Sequence, residues 1–180
     1  MYADTMLRIR LLFVVGLAIL QVPAIAHSAV ANSVPTQACK TSQVVLLSSG
    51  WWGAGGTGGM AFDIVNLGAR CRIGGYPTVS FLNSSAIAVD GRNIHKSSML
   101  FAEPTATTVT LKSGGVATFG VAWADNPAGS ETCPSTARAI VVLRQGVGNL
   151  WGEVPINSEP CGRALWVTPI ESGSWPRPNA

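Results

Sequence analysis

Side chains able to do covalent or acid–base chemistry are few in this chain and far apart. There are two histidines, His27 and His95. A serine hydrolase needs a histidine beside its nucleophile, and His27 falls in a targeting segment, which leaves His95, between Ile94 and Lys96. No Gly-x-Ser-x-Gly elbow accompanies it, so His95 reads as a solvated loop residue. Blue-copper and superoxide-dismutase sites use several histidines, and two are too few. The carboxylates Asp63, Asp90, Glu103, Asp125, Glu131, Glu153, Glu159 and Glu171 are spread over separate segments. A glycosidase pair can assemble from distant positions, but no spacing picks one out. No catalytic residue, metal ligand or cofactor is assigned.

The four cysteines, Cys39, Cys71, Cys133 and Cys161, carry the clearest chemistry. An even set in an exported chain predicts two disulfides, for which three pairings exist. Cys39 precedes a first strand and Cys71 follows a second, so a hairpin would bring them to one end of the fold. Cys133 and Cys161 flank another strand pair in the same way. The expected bonds are Cys39–Cys71 and Cys133–Cys161. A zinc site is the competing reading, but no Cys-x-x-Cys pair is present and the spacings are wide.

Gly53-Ala54-Gly55-Gly56-Thr57-Gly58 fits the Gly-x-Gly-x-x-Gly pattern of dinucleotide-binding turns. That fingerprint works when a helix N-terminus follows it, whereas Met60 to Val65 reads as a strand. A flexible glycine-rich loop between two strands is expected instead. Trp51 and Trp52 abut it. Neighbouring residues on a strand point to opposite faces, so the two indoles cannot both be buried simply. With Gly55 and Gly56 they form the candidate ligand contact, and indoles suit sugar, lipid or protein alike. The alternative is that one ring is core and the other caps an edge.

The elements that must hold these residues are short. Runs rich in β-branched and aromatic residues are separated by Gly, Pro, Asn and Ser. Strands are expected at Gln43–Leu47, Gly59–Val65, Thr78–Leu82, Ile87–Val89 and Thr107–Leu111. Further strands are expected at Ala117–Trp123, Ala137–Leu143, Leu150–Val154 and Leu165–Val167. Lys112-Ser113-Gly114-Gly115 reads as a hairpin turn joining two of them. On the return strand Ala117, Phe119, Val121 and Trp123 share an inner face, and Thr118 and Gly120 face out. Seven to nine strands at this spacing predict an all-β fold, an antiparallel β-sandwich of immunoglobulin-like type.

Arg8 and Arg10, the apolar run Leu11–Leu20 and the small residues of Ala24-Ile25-Ala26 or Ala29-Val30-Ala31 predict a cleaved signal peptide. The run is too short for a membrane span, which needs about 20 residues. Met6 is an alternative start. Cys39 lies too far from the apolar run, and behind the wrong residues, for a lipoprotein anchor. The expected organisation is a signal and cleavage region at 1–29, a flexible segment at 30–38, one domain at 39–170 and a flexible tail at 171–180. Arg8, Arg10 and Asp4 would leave with the signal, so the net charge falls from +3 to +2. The remaining basic residues stand singly, and nucleic-acid binding needs a clustered positive face. Charged residues make up 12% of the chain, as befits an ordered exported β-domain.

The ordered pattern runs from Cys39 through Phe62–Asn66 to Cys71-Arg72-Ile73-Gly74-Gly75-Tyr76-Pro77. It continues through Val109–Trp123, Cys133, Ile140-Val141-Val142, Cys161-Gly162 and Leu165-Trp166-Val167. This resembles the actinobacterial domain of unknown function 4232, found in secreted proteins and lipoproteins. Gly75 supplies the glycine before Tyr76, so Gly74 is an extra small residue in that pattern. The resemblance implies an immunoglobulin-like sandwich outside the cytoplasm and no assigned activity. The resulting expectation is a secreted, non-enzymatic module that binds an envelope protein, glycan or lipid. The alternative is an extracytoplasmic hydrolase acting on envelope material.

Overall fold

The computed structural model describes residues 36–89, 91–96, 105–126, 132–144 and 149–174. The expected signal region, residues 30–35 and residues 175–180 lie outside them. The β-rich runs become strands, and no α-helix occurs among the described residues. In chain order the strands are β1 (Val44–Ala54), β2 (Thr57–Asn66), β3 (Cys71–Gly74), β4 (Thr78–Leu82), β5 (Ala88–Val89) and β6 (Arg92–Ile94). They continue as β7 (Thr108–Leu111), β8 (Val116–Ala124), β9 (Thr136–Arg144), β10 (Asn149–Ser158), β11 (Cys161–Val167) and β12 (Glu171–Ser172). The three unexpected strands, β3, β6 and β12, are all short. β12 carries the sheet past the expected domain end at residue 170, because Glu171 and Ser172 pair with Thr118 and Ala117.

One sheet has the order β1-β2-β8-β11-β6, with β12 also on β8, and a second has the order β10-β9-β4-β5. β3 and β7 form a separate pair. Among the described residues the strands pair antiparallel except β11 with β6, and Ala38 adds an isolated parallel bridge to Arg72. Inner residues of the sheets make one core. Phe62 stacks on Phe119 with centroids 5.2 Å apart, within the first sheet. Phe81 of the second sheet meets Trp123 of the first edge-on at 5.3 Å. Trp123 is buried, as its alternation with Phe119 and Val121 predicts.

Thr118 and Gly120 do not face solvent, contrary to the alternation expected for β8. β8 lies inside its sheet, and both residues are buried. The Thr118 hydroxyl donates to the Phe62 carbonyl at 3.1 Å. Gly120 N–H donates to Thr168 Oγ1 at 2.8 Å, where β11 has left the regular ladder. A central strand loses its solvent face when bulky neighbours flank small residues. Here the register aligns Trp52, Gly59, Ala122 and Trp166 across β1, β2, β8 and β11.

The turn at Lys112–Gly115 forms, but it does not close a hairpin. β7 pairs with β3, in register Cys71 with Leu111, so the turn carries the chain from one sheet to another. Asn66 takes up its free groups instead. Gly114 N–H donates to the Asn66 carbonyl at 2.7 Å, and Asn66 N–H donates to the Gly115 carbonyl at 3.0 Å.

Both expected disulfides are present, Cys39–Cys71 with Cα atoms 4.8 Å apart and Cys133–Cys161 at 4.7 Å. The first ties the segment before β1 to the start of β3. The second joins the segment ahead of β9 to β11, and so links the two large sheets. Such bonds form in oxidising, extracytoplasmic compartments. No described helix is long and apolar enough to cross a membrane.

Candidate functional site

The glycine-rich segment is mostly strand. β1 and β2 pair down to Ala54 with Thr57, so only Gly55 and Gly56 remain as the turn. Their φ values are 59° and 79°, and a two-residue hairpin loop of type I′ needs positive φ at both positions. The expected flexible loop is therefore a tight turn. It is also held from outside, because Asp125 N–H donates to the Gly56 carbonyl at 3.0 Å.

The ladder between β1 and β2 slips between Ser48 and Gly50, which sets the register of the two tryptophans. Trp51 opposes Met60, which opposes Val121, so Trp51 belongs to the inner row. β1 ends the sheet's strand order, so the indole overhangs the core rather than entering it and is 62% exposed. It lines a groove of about 490 Å³ with Met60, Ile156 and Asn157, between β1 of one sheet and β10 of the other. Trp52 points to the opposite face. Its ring folds back over Gly50, 3.2 Å from where a Cβ there would stand.

The structure thus separates the four residues expected to share a contact. Trp51 stands at the groove, Trp52 lies half-buried on the other face, and Gly55 and Gly56 form the hairpin tip. Strand alternation is the physical reason. Of the four, only Trp51 presents a large exposed apolar surface.

His95 is exposed, as expected, but it is not an isolated loop side chain. Its ring stacks on Tyr76 with centroids 4.3 Å apart and planes 12° from parallel. Asp63 and Glu171 flank Thr118 in register on the outer face of the first sheet. One oxygen of Asp63, Oδ1, is buried without a hydrogen-bond partner. Among the described residues no group of His, Cys, Asp and Glu is placed to hold a metal. Asp90, Glu103 and Glu131 lie outside the described residues.

Sequence reasoning missed the residue that organises the opposite end of the hairpin. Asn66 is fully buried. Its Nδ2 donates to the carbonyls of Ala69 at 2.9 Å, Leu111 at 3.2 Å and Lys112 at 3.2 Å. Its Oδ1 accepts from Gln43 Nε2 at 3.2 Å and Gly68 N–H at 3.0 Å. One amide thereby joins the entry to β1, the β2–β3 turn and the β7–β8 turn. The signal was a polar amide closing the Phe62–Asn66 run, five residues ahead of Cys71.

Gly74 and Gly75 have different duties. A Cβ on Gly74 would collide with the Thr107 carbonyl, while Gly75 holds φ at 79°. Gly75 also accepts Ile170 N–H at 2.9 Å. Gly74 is therefore not a spare small residue but the point where two strands approach closely.

Asn66, the Cys39–Cys71 bond and the two-glycine approach to Tyr76 are the features that the family pattern spans. Residues 39–171 match the family described as Domain of unknown function (DUF4232). The chain belongs to this family. No curated protein matches it, and no solved structure does. The DUF4232 region covers both disulfides, every strand from β1 to β11 and the first residue of β12.

Proposed function

We propose that the chain is a secreted, immunoglobulin-like binding module of the cell envelope or medium, without catalytic activity of its own. The observation that carries this reading is Trp51, a large indole left 62% exposed beside Met60 and Ile156. Rigid aromatic side chains at the rim of an apolar groove are efficient contacts, since they bring large area at low entropic cost. The two facing sheets and two disulfides provide a stiff support for such a contact. The partner is an envelope protein, glycan or lipid, and nucleic acid is not the partner.

Affinity capture from cell-envelope extracts with the oxidised protein tests the reading. Capture that disappears in Trp51→Ala, with melting unchanged, supports it. Capture that survives the substitution removes Trp51 from the contact. Release of fragments from the same extract by the wild-type protein would favour the hydrolase instead.

A further inference from the structure

A second cleft lies at the other end of the β1–β2 hairpin, where Val65 pairs with Val116 rather than where Thr57 pairs with Ala124. It measures about 650 Å³, and its lining includes Arg70, Thr110, Lys112, Ser172 and Ser174. The other lining residues are apolar or glycine, and no carboxylate is among them. Arg70 and Lys112 are both exposed, and among the described residues neither has an ion-pair partner. Arg72 is exposed on the strand beside it, opposite Thr110. The nearest acid in sequence, Glu171, alternates with Ser172 along β12 and so points to the other face.

We propose that this cleft binds a phosphate group carried by a soluble ligand. A guanidinium offers a planar fork of donors that matches phosphate oxygens, an ammonium adds a point charge, and hydroxyls complete the shell. The backbone that carries the two cations is held in place, while their side chains stay exposed. Asn66 Nδ2 holds the carbonyl of Ala69, next to Arg70, at 2.9 Å and that of Lys112 at 3.2 Å. Cys71, on the other side of Arg70, is bound to Cys39. A site whose supporting backbone is locked by a buried amide and a disulfide is preorganised for its ligand. Bilayer attraction relies on several adjacent basic residues, and an open cleft lined by two cations suits a single phosphate better.

The test is amide chemical-shift titration of the oxidised protein with inorganic phosphate and with glycerol 3-phosphate, against sodium chloride of equal ionic strength. Saturable shifts at Arg70, Lys112, Ser172 and Ser174 are expected with both phosphates and not with chloride. Arg70→Ala and Lys112→Ala should each weaken binding about tenfold, because each loses charge-assisted hydrogen bonds. Both side chains are exposed, so melting should stay at the wild-type temperature. Trp51→Ala should leave phosphate binding unchanged, which separates this site from the groove at β10. Phosphate shifts no larger than those with chloride overturn the proposal, as does undiminished binding in the double variant. Vesicles of phosphatidylcholine with phosphatidylglycerol form the second arm. Binding to vesicles with no phosphate response at these amides also overturns it.

Discussion

Asn93 and Val79 are bound to each other twice, across the two large sheets. Val79 N–H donates to Asn93 Oδ1 at 2.7 Å, and Asn93 Nδ2 donates to the Val79 carbonyl at 2.8 Å. β5 pairs with β4 only from Phe81 onward, so Val79 would otherwise have no partner on that edge. The side-chain amide stands in for a strand's peptide group. Asn93 itself belongs to β6, in register with Leu165 of β11, so the same two bonds hold one sheet to the other.

Asn93→Ala should therefore destabilise the fold by about 2 to 4 kcal/mol, since it leaves a half-buried N–H and carbonyl unpaired. Asn93→Asp keeps the acceptor for Val79 N–H but sets a carboxylate against the Val79 carbonyl, and should also destabilise. Urea unfolding of the two variants checks this. Wild-type midpoints in both would mean that water replaces the amide without loss.

Asn66 is the more demanding position because it is fully buried and serves three segments. Asn66→Ala should cost about 3 kcal/mol, because the bonds of a fully buried amide to Gln43, Gly68, Ala69, Leu111 and Lys112 are lost together. The Ala69 and Lys112 carbonyls keep Gln43 Nε2 and Gly115 N–H as donors. Asn66→Asp directs a carboxylate at the carbonyls of Ala69, Leu111 and Lys112. These dipoles raise the folded-state pKa of that aspartate above its unfolded value of about 3.9. The penalty then appears as pH rises above about 4 and recedes below it. Thermal melts of Asn66→Asp against wild type at pH 3.5 and pH 7 read this directly, and a pH-independent difference would contradict it.

The contrast between these asparagines and the strands explains what was legible in the sequence. Strands such as Thr78–Leu82 and the buried–exposed alternation of Thr108–Leu111 follow from side-chain period and β-branching, which are local. The disulfide pairs followed from which strands are sequence neighbours. Local patterns carry no information on which strands become partners. The Lys112–Gly115 turn looked like a hairpin because its residues fit one, yet β3 claimed β7. β8 looked half-exposed because alternation cannot reveal that neighbours on both sides cover the polar positions. For the same reason Trp51 and Trp52 were placed on opposite faces correctly, while the groove with Ile156 depended on the packing of β10 and could not be read. Arg70 and Lys112 are far apart in sequence, and the β3–β7 pairing together with the Asn66 bonds brings their backbones together.

The disulfide bond between Cys39 and Cys71 closes a separation of 32 residues. Constraining the unfolded chain by such a loop contributes roughly 3 to 4 kcal/mol. Replacing both cysteines by serine should lower stability by about that amount and loosen the β3–β7 pair first, because Cys71 begins β3 opposite Leu111. Hydrogen exchange resolved by residue checks the order. Loss of protection in β8 before β3 would contradict it.

The final prediction separates the two adjacent tryptophans. Trp51 is 62% exposed at the end of its row, so Trp51→Ala removes surface that is largely hydrated already and should change stability by less than about 1 kcal/mol. Trp52 is half-buried and covers Gly50, in register with Gly59 and Ala122. Trp52→Ala uncovers small residues that have no side chain to close the gap, and should cost about 2 to 3 kcal/mol. Trp123, buried against Phe81, sets the upper reference at about 3 to 5 kcal/mol on replacement by Ala. The expected order of melting temperatures is wild type close to Trp51→Ala, then Trp52→Ala, then Trp123→Ala. If Trp51→Ala melts as early as Trp52→Ala, its indole closes the core at β10, and the groove loses its case as a binding surface.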